Sequence, residues 1–439
     1  MAMTPHRSPW LARARTSWAR VLLWLAAAAL APAAAAQTAA AVRAAADQQQ
    51  AAVLETLKTL VGIESGSRDV EGLTRIAELA AARLLAAGMT VEVLPSRPPG
   101  FDPRARGSER GPMVRGTLRG TGERKVLLIA HLDTVYPRGM GEKQPFRVEG
   151  DRAYGLGISD DKGGVALVLH TVELLRVLGH TGFAELGVLL NADEEIGSAG
   201  SAALLTQLGS EYDAVLSFEG GGVDIDAVRL ATSSTASVEL RVTGRASHAG
   251  ANPEGGRNAL VELAHQILKT RDYGEPGVGL KINWTIARSG EVGNVSPALA
   301  MAHGDVRAEN AADLDRLEAR LAEAARDRLI PDTTVEMRMR RGRPAFRANA
   351  ASRALAVHAQ AVFGEIGRTL DVRERSAGGG TDAAYAAMRA RGGVLEGFGL
   401  RGAGSHSNDR EYIFVSSIVP RLYLATRMVM DIGAGKVSW

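Results

Sequence analysis

The strongest constraint on this chain is an interrupted stretch from His131 to Glu219. In it, clusters of metal-ligand residues follow apolar runs or glycine turns. Lys125-Val-Leu-Leu-Ile-Ala130 leads into His131-Leu-Asp133-Thr. Leu186-Gly-Val-Leu-Leu190 leads into Asn-Ala-Asp-Glu194-Glu195. Ala214-Val-Leu-Ser-Phe218 leads into Glu219, and a glycine-bounded loop, Gly157-Ile-Ser-Asp160-Asp161-Lys-Gly-Gly164, lies between. In an open α/β sheet, sites form beyond the carboxyl ends of the strands. Three strands that end in ligand-type side chains therefore converge on one crevice.

The residue types suit a zinc site. Imidazole and carboxylate oxygens bind zinc at about 2.0–2.2 Å. A carboxylate standing between two ions bridges them, and ions about 3.5–4 Å apart clamp a hydrolytic transition state. Adjacent Glu194 and Glu195 cannot point the same way on an extended backbone, so one can bind metal while the other faces substrate as general base. Cysteine is absent, which excludes thiol catalysis, thiolate metal sites and disulfides.

Further motifs make the pattern specific. They are Gly244-Arg-Ala-Ser-His248-Ala-Gly, Arg341-Gly-Arg-Pro-Ala-Phe346 and Gly378-Gly-Gly-Thr-Asp-Ala-Ala-Tyr385. With the clusters above, the chain after about residue 42 resembles the M20 family of co-catalytic zinc peptidases. More narrowly it resembles the bacterial glutamate carboxypeptidases of the carboxypeptidase G2 type. The resemblance implies an α/β/α catalytic domain with a mixed sheet, interrupted by an α+β dimerisation lid of four strands and two helices. It implies two Zn2+ per subunit, with Co2+ or Mn2+ as substitutes. Asp160 would bridge the ions, His131 and Glu219 would complete one site, and Glu195 and His406 the other. Glu194 becomes the general base and Asp133 the group that orients His131. The family also carries an unusual peptide bond after its bridging aspartate. Arg343 matches a family arginine that holds the substrate carboxylate, and Asn294 a lid residue that hydrogen-bonds substrate. His248 resembles a histidine that approaches the site from a partner subunit, and Arg307 is a candidate for a second carboxylate. One departure is Gly220-Gly-Gly after Glu219, where the nearest members place a proline-containing turn.

The expected function is a periplasmic or secreted di-zinc exopeptidase. It would release a C-terminal amino acid, glutamate above all, from folate-type or N-acyl substrates with a free carboxylate. An aminoacylase or dipeptidase of the same family is the alternative, since the same centre serves both. A non-catalytic binding protein is disfavoured because Glu194 stands intact beside Glu195.

Residues 1–36 read as a signal peptide. Four arginines precede an apolar Val21–Leu30 run, and Ala34-Ala-Ala36 supplies small residues for cleavage near Ala36-Gln37. The full chain carries 52 basic and 49 acidic residues; without the four arginines the count is 48 against 49. That balance gives no electrostatic footprint for nucleic acid, and nothing later reads as a membrane span.

The rest divides into a catalytic domain at 42–230 and 346–439, with a lid at 231–345. Strands are expected at Thr90–Leu94, Met113–Leu118, a hairpin over Phe146–Tyr154, and Val394–Phe398. Helices are expected at Ala52–Val61, Leu73–Met89 and Ser416 to about Ile432. Asp161 and Ser198 are candidate helix caps, and His170 reads as a packing histidine. The expected lid strands are Val228–Leu230, Ser237–Thr243, Ile282–Ile286 and Met301–Arg307. Its helices are Ala259–Lys269 and Ala311–Arg326.

Overall fold

The computed structural model describes residues 39–97, 110–407 and 409–439; the signal-peptide segment lies outside them. The central sheet has eight strands. Their spatial order is Thr90–Leu94, Met113–Arg119, Glu185–Asn191, Lys125–His131, Ala214–Ser217, Gly393–Glu396, Ala227–Arg229 and Asp371–Arg373. The inner strands run parallel: Lys125–His131 pairs with both Glu185–Asn191 and Ala214–Ser217, and Gly393–Glu396 with Ala214–Ser217. The first three strands pair antiparallel, so the sheet is mixed.

The inner strands are apolar on both faces, as strands covered by helices must be. Val126, Leu128 and Ala130 enter one core, with the helices Val70–Ala86, Gly163–Val177 and Ile418–Gly433. Leu127 and Ile129 enter the other, with Leu205 and Leu208 of Ala202–Glu211. Each such buried Val, Leu or Ile side chain stabilises the fold by about 1.5–3 kcal/mol. Beyond His131 only Leu132 stays in this core before the buried polar pair Asp133 and Thr134, so the strand's end is where the apolar sandwich gives way to polar groups.

The inserted sheet is antiparallel, ordered Lys281–Ser289, Leu299–Ala308, Ser234–Thr243 and Thr334–Arg341. Ser234–Thr243 alternates strictly. Val238, Leu240 and Val242 are buried against the helices Ala259–Thr270 and Ala311–Ala324, while Ser237 and Arg241 face out. Asn258 caps the first of these helices by accepting from Leu260 and Val261 N–H.

Two expectations about this sheet were wrong. Val228 belongs to the central sheet, in Ala227–Arg229, and the fourth inserted strand is Thr334–Arg341. The three-residue Ala227–Arg229 segment has too little length to display its partner's identity. In Thr334–Arg341, Val335, Met337 and Met339 alternate inward, but the arginines and Glu336 between them mask the period. Helix caps differ too. Asp161 does not cap its helix, and its carboxylate accepts from His131 N at 3.2 Å. Ser198 lies outside the Ala202–Glu211 helix in the left-handed region, φ 58°, with its hydroxyl on Asp382. His170 is a packing histidine, 2.8 Å from Thr56 Oγ1.

The glycines after Glu219 have a structural reason. The Arg421 guanidinium is fully buried and donates to the carbonyls of Gly399 (2.8 Å), Ala227 (3.1 Å) and Gly397. A Cβ on Gly221 would collide with that guanidinium, and Gly222 has φ +110°. Replacing Arg421 with leucine leaves three carbonyls without their donor, at about 1–3 kcal/mol each. We expect the variant's denaturant midpoint to fall by an amount equivalent to at least about 3 kcal/mol; an unmoved midpoint would remove Arg421 from this role.

Candidate metal centre

His131 sits at the end of its strand, 2% exposed. Its Nε2 faces Asp160 Oδ1 at 3.0 Å and Glu219 Oε1 at 3.6 Å. Its Nδ1 faces the Asp133 carbonyl at 3.0 Å and Asp133 Oδ1 at 3.4 Å. Asp133 does more than orient the ring. Its carboxylate accepts from Glu194 N (3.0 Å), Glu195 N (3.1 Å) and Ser67 Oγ (2.8 Å). One buried carboxylate thus fixes the histidine and the backbone of both glutamates.

Asp160 is presented by a loop that begins at Gly157, φ 72°, and contains a cis Asp160–Asp161 peptide. The loop is held by Glu411, whose carboxylate accepts from Gly157, Ser159 and Asp160 N–H at 2.8–3.0 Å and from Tyr136 Oη at 2.6 Å. Asp160 divides its oxygens: Oδ1 faces His131, and Oδ2 faces His406 Nε2 at 3.2 Å. His406 also meets Glu195 Oε2 at 3.1 Å. Its own φ is 64°, in a turn entered through Gly404 at φ 81°.

Two ligand clusters result. His131, Glu194 and Glu219 bring one ligand atom each within 4.8 Å of one another, and so do Asp160, Glu195 and His406. Asp160 touches both imidazoles and stands between them. Glu194 therefore lies in ligand range as well as facing the cleft.

The electrostatics follow from burying like charges. Burial pushes Glu194 well above the ordinary carboxylate range, opposed by Arg343, and lifts Glu195 to about 7, opposed by His406. Asp160 goes the other way: burial raises it, but hydrogen bonds from both imidazoles hold it well below the usual range. Asp160 and Glu195 push His406 up to about 10. Burial lowers His131, yet Asp133, Asp160 and Glu219 together carry it well above its ordinary value. The buried Oε1 atoms of Glu194 and Glu195 have no hydrogen-bond partner. Carboxylates that crowd on imidazole nitrogens and retain unpaired buried oxygens fit a divalent cation pair. With no thiolate, the set suits zinc and tolerates cobalt or manganese.

The clusters open into a cleft of about 1110 Å³, lined on one side by Ser237, Asp305 and Arg307 of the inserted sheet. Arg343 is 5% exposed at its edge. Its Nη1 lies 2.8 Å from Glu194 Oε1, an ion-pair contact without hydrogen-bond alignment. It donates to Gly380 O (3.0 Å), Glu194 O (2.7 Å) and Ser198 Oγ (2.8 Å). Arg307 lines the cleft but is bound through two hydrogen bonds by Asp305, at 2.9 and 3.0 Å. His248 and Asn294 lie together on a small ribbon, where Ala249 N donates to Asn294 O at 2.9 Å. Neither lines the cleft of its own chain.

Sequence reasoning missed Glu411, Tyr136 and Asp382. A buried carboxylate that holds backbone from a distant segment leaves no periodic trace. The local signals were the Glu411-Tyr412 pair that follows His406 and the Gly378–Tyr385 motif that contains Asp382.

The match to known proteins agrees with this geometry. Residues 127–431 match the model of the peptidase family M20/M25/M40. Carboxypeptidase G2 of Pseudomonas sp. (strain RS-16) is 43% identical over 88% of this chain and 91% of its own. The N-acetyl-L-citrulline deacetylase of Xanthomonas campestris is 30% identical over 51% of this chain and 56% of its own. Among solved structures, an M20 family metallo-carboxypeptidase from Sulfolobus solfataricus superposes with TM-score 0.68 at 17% identity, covering 86% of this chain and 98% of its own. A dinuclear metal-binding M20 peptidase of Bacillus subtilis gives TM-score 0.63 at 14% identity, covering 88% and 99%.

The geometry makes a metal prediction. Asp160→Ala removes the carboxylate shared by both clusters and should abolish stoichiometric binding of two zinc ions, measured by atomic emission after dialysis. Glu195→Gln should lose one ion. Retention of both ions by Asp160→Ala would refute a shared site.

Proposed function

The chain belongs to the peptidase family M20/M25/M40 and is a metallopeptidase; from that premise we propose a di-zinc carboxypeptidase that hydrolyses the amide bond to a C-terminal glutamate. The observation that carries this reading is Asp160, with one oxygen toward each imidazole-carboxylate cluster at the floor of a cleft. Folate-type and N-acyl-glutamate substrates are the proposed class, by analogy with carboxypeptidase G2. An N-acyl amino acid aminoacylase or dipeptidase specificity is the alternative outcome of a substrate panel.

Zinc bound by His131, Asp160, Glu195, Glu219 and His406 would supply Lewis-acid polarisation of water and of the scissile carbonyl. The chain's part is proton handling and positioning. Glu194 accepts the proton of the attacking water at a cleft-facing oxygen and passes it to the leaving nitrogen. Burial raises its proton affinity, which favours holding that proton for the transfer. Asp133 fixes the Glu194 backbone, so the base cannot drift as it changes charge. Arg343 neutralises Glu194 in the resting cleft. In our proposal the substrate carboxylate takes that place on the guanidinium, a like-for-like exchange that frees the base. The planar fork matches two carboxylate oxygens.

We further propose a homodimer. The edge strand Lys281–Ser289 and exposed Ile286, Val292 and Val295 would pair across a two-fold axis, placing His248 and Asn294 near the partner's cleft. The signal-peptide reading places the protein in the periplasm or outside the cell. Among the described residues no helix is long and apolar enough to cross a membrane.

Two experiments test the chemistry. Glu194→Gln should lower kcat on N-acyl-glutamate on the order of 10²–10⁴-fold with both zinc ions retained; loss of metal instead would make Glu194 a ligand. Arg343→Ala should lower kcat/KM at least about 10²-fold on a substrate with a free C-terminal carboxylate, the scale of a lost charge-assisted pair. The factor should shrink on the C-terminal amide. Equal loss on acid and amide would mean that Arg343 serves Glu194 alone.

A further inference from the structure

The cleft is lined by six cationic side chains, and their charge accounting is uneven. Arg307 is neutralised by Asp305, Arg340 faces Glu239 at 3.5 Å, and Arg341 faces Asp315 and Glu318. Arg343 faces Glu194, with Asp382 at 3.5 Å. Two cations have no carboxylate in ion-pair contact among the described residues: Arg229 and Lys281. Each donates only to a backbone carbonyl, Arg229 Nη1 to Gly220 O at 2.6 Å and Lys281 Nζ to Ala377 O at 3.2 Å.

Their settings differ. Lys281 is exposed on the edge strand of the inserted sheet, where solvent and salt screen its charge. Arg229 is half-buried at the end of a central strand. Its guanidinium spans from Gly220, the residue after Glu219, to Gly397, where a Cβ would come within 3.1 Å of Nη1. Glycine on both sides leaves it a flat bed. Its register partner, Glu396, is buried and makes no ion-pair contact with it: Oε2 accepts from Thr381 Oγ1 at 2.9 Å, while Oε1 has no hydrogen-bond partner and feels the Arg229 charge only at longer range. The Nε and Nη2 donors of Arg229 meet no described acceptor, so one edge of the fork is uncommitted. A half-buried guanidinium beside a cluster of carboxylates, held only by a dipole, is matched to an anion that arrives with the ligand.

We propose that Arg229 is the specificity-determining residue for a second carboxylate, the side-chain carboxylate of an acidic leaving amino acid. This inference rests on the carboxypeptidase reading and names the residue that selects its substrate. It moves the second-carboxylate role away from Arg307, whose fork Asp305 already fills.

The test uses zinc-loaded full-length protein with N-benzoyl-L-glutamate and the neutral isostere N-benzoyl-L-glutamine. Arg229→Gln should lower the ratio of kcat/KM for acid over amide by about 10–100-fold, the scale of one charge-assisted hydrogen bond, chiefly through KM. Arg229→Lys should recover part of that ratio. Calorimetry with L-glutamate and L-glutamine as ligands should give the same ordering of dissociation constants. Equal losses on both partners would reduce Arg229 to a prop for the Gly220 turn, and an unchanged ratio would also overturn the proposal. If wild type hydrolyses neither benzoyl amino acid, the carboxypeptidase reading fails. Calorimetry still decides on Arg229, since equal binding of glutamate by wild type and Arg229→Gln, or no binding by either, overturns its role.

Discussion

The structure depends on one concentration of like charge. Asp160, Glu194, Glu195 and Glu219 crowd around two imidazoles at the open end of a parallel sheet. Carboxylates at this spacing cannot all remain ionised when buried unless cations join them. In the chain alone, Arg343 meets one of these carboxylates, and the others raise the proton affinity of both histidines. The oxygens that raise the proton affinity of both imidazoles are the ones with which they would share a metal. A metal pair bound there would displace those protons.

The surrounding polar groups act to keep that charge in place. Asp133 joins the end of one strand to the start of the Glu194 turn, and Glu411 gathers three backbone N–H groups of the Asp160 loop. Asp382 supports Arg343 through Ser198. Each of these carboxylates sits behind a ligand or the base and none lies open to the cleft floor. A site built on strand ends is rigid in one direction only. These anchors fix the loops that the sheet leaves free.

How much of this was legible in the sequence follows from the range of each interaction. Three candidate ligands were legible because each follows a local apolar run: Lys125–Ala130 before His131, Leu186–Leu190 shortly before Glu195, Ala214–Phe218 before Glu219; Asp160 follows a glycine turn, and His406 was named only through the family resemblance. The inserted helices were legible from period alone; the Asn258 cap that starts Ala259–Thr270 was found only in the structure. Glu411 was not legible, since its partners lie more than 250 residues away in sequence. Nor was Arg421, an arginine in an apolar helix, whose carbonyl partners belong to two other segments. Ala227–Arg229 was misread because three residues carry an alternation but not the identity of the neighbouring strand. Asp161 was misread as a cap because its true partner, His131 N, becomes adjacent only after the sheet forms.

The same distinction separates the arginines. In sequence Arg343 stood out by its motif and Arg307 as a second candidate, while nothing marked Arg229; in the structure their neighbours separate them. Arg307 carries its counter-charge two residues away on the same strand, a pairing that persists whether or not a ligand is present. Arg343 holds the catalytic candidate itself, so any carboxylate that binds it must compete with Glu194. Such competition costs little, because one carboxylate replaces another on the same fork, and the displaced group is released toward the cleft where a base is needed. Arg229 faces no such competitor. An anion there meets no resident ion pair among the described residues, while one at Arg343 takes the place of Glu194 on the fork. Selectivity for an acidic side chain therefore resides more naturally at Arg229, and coupling between substrate arrival and base release at Arg343.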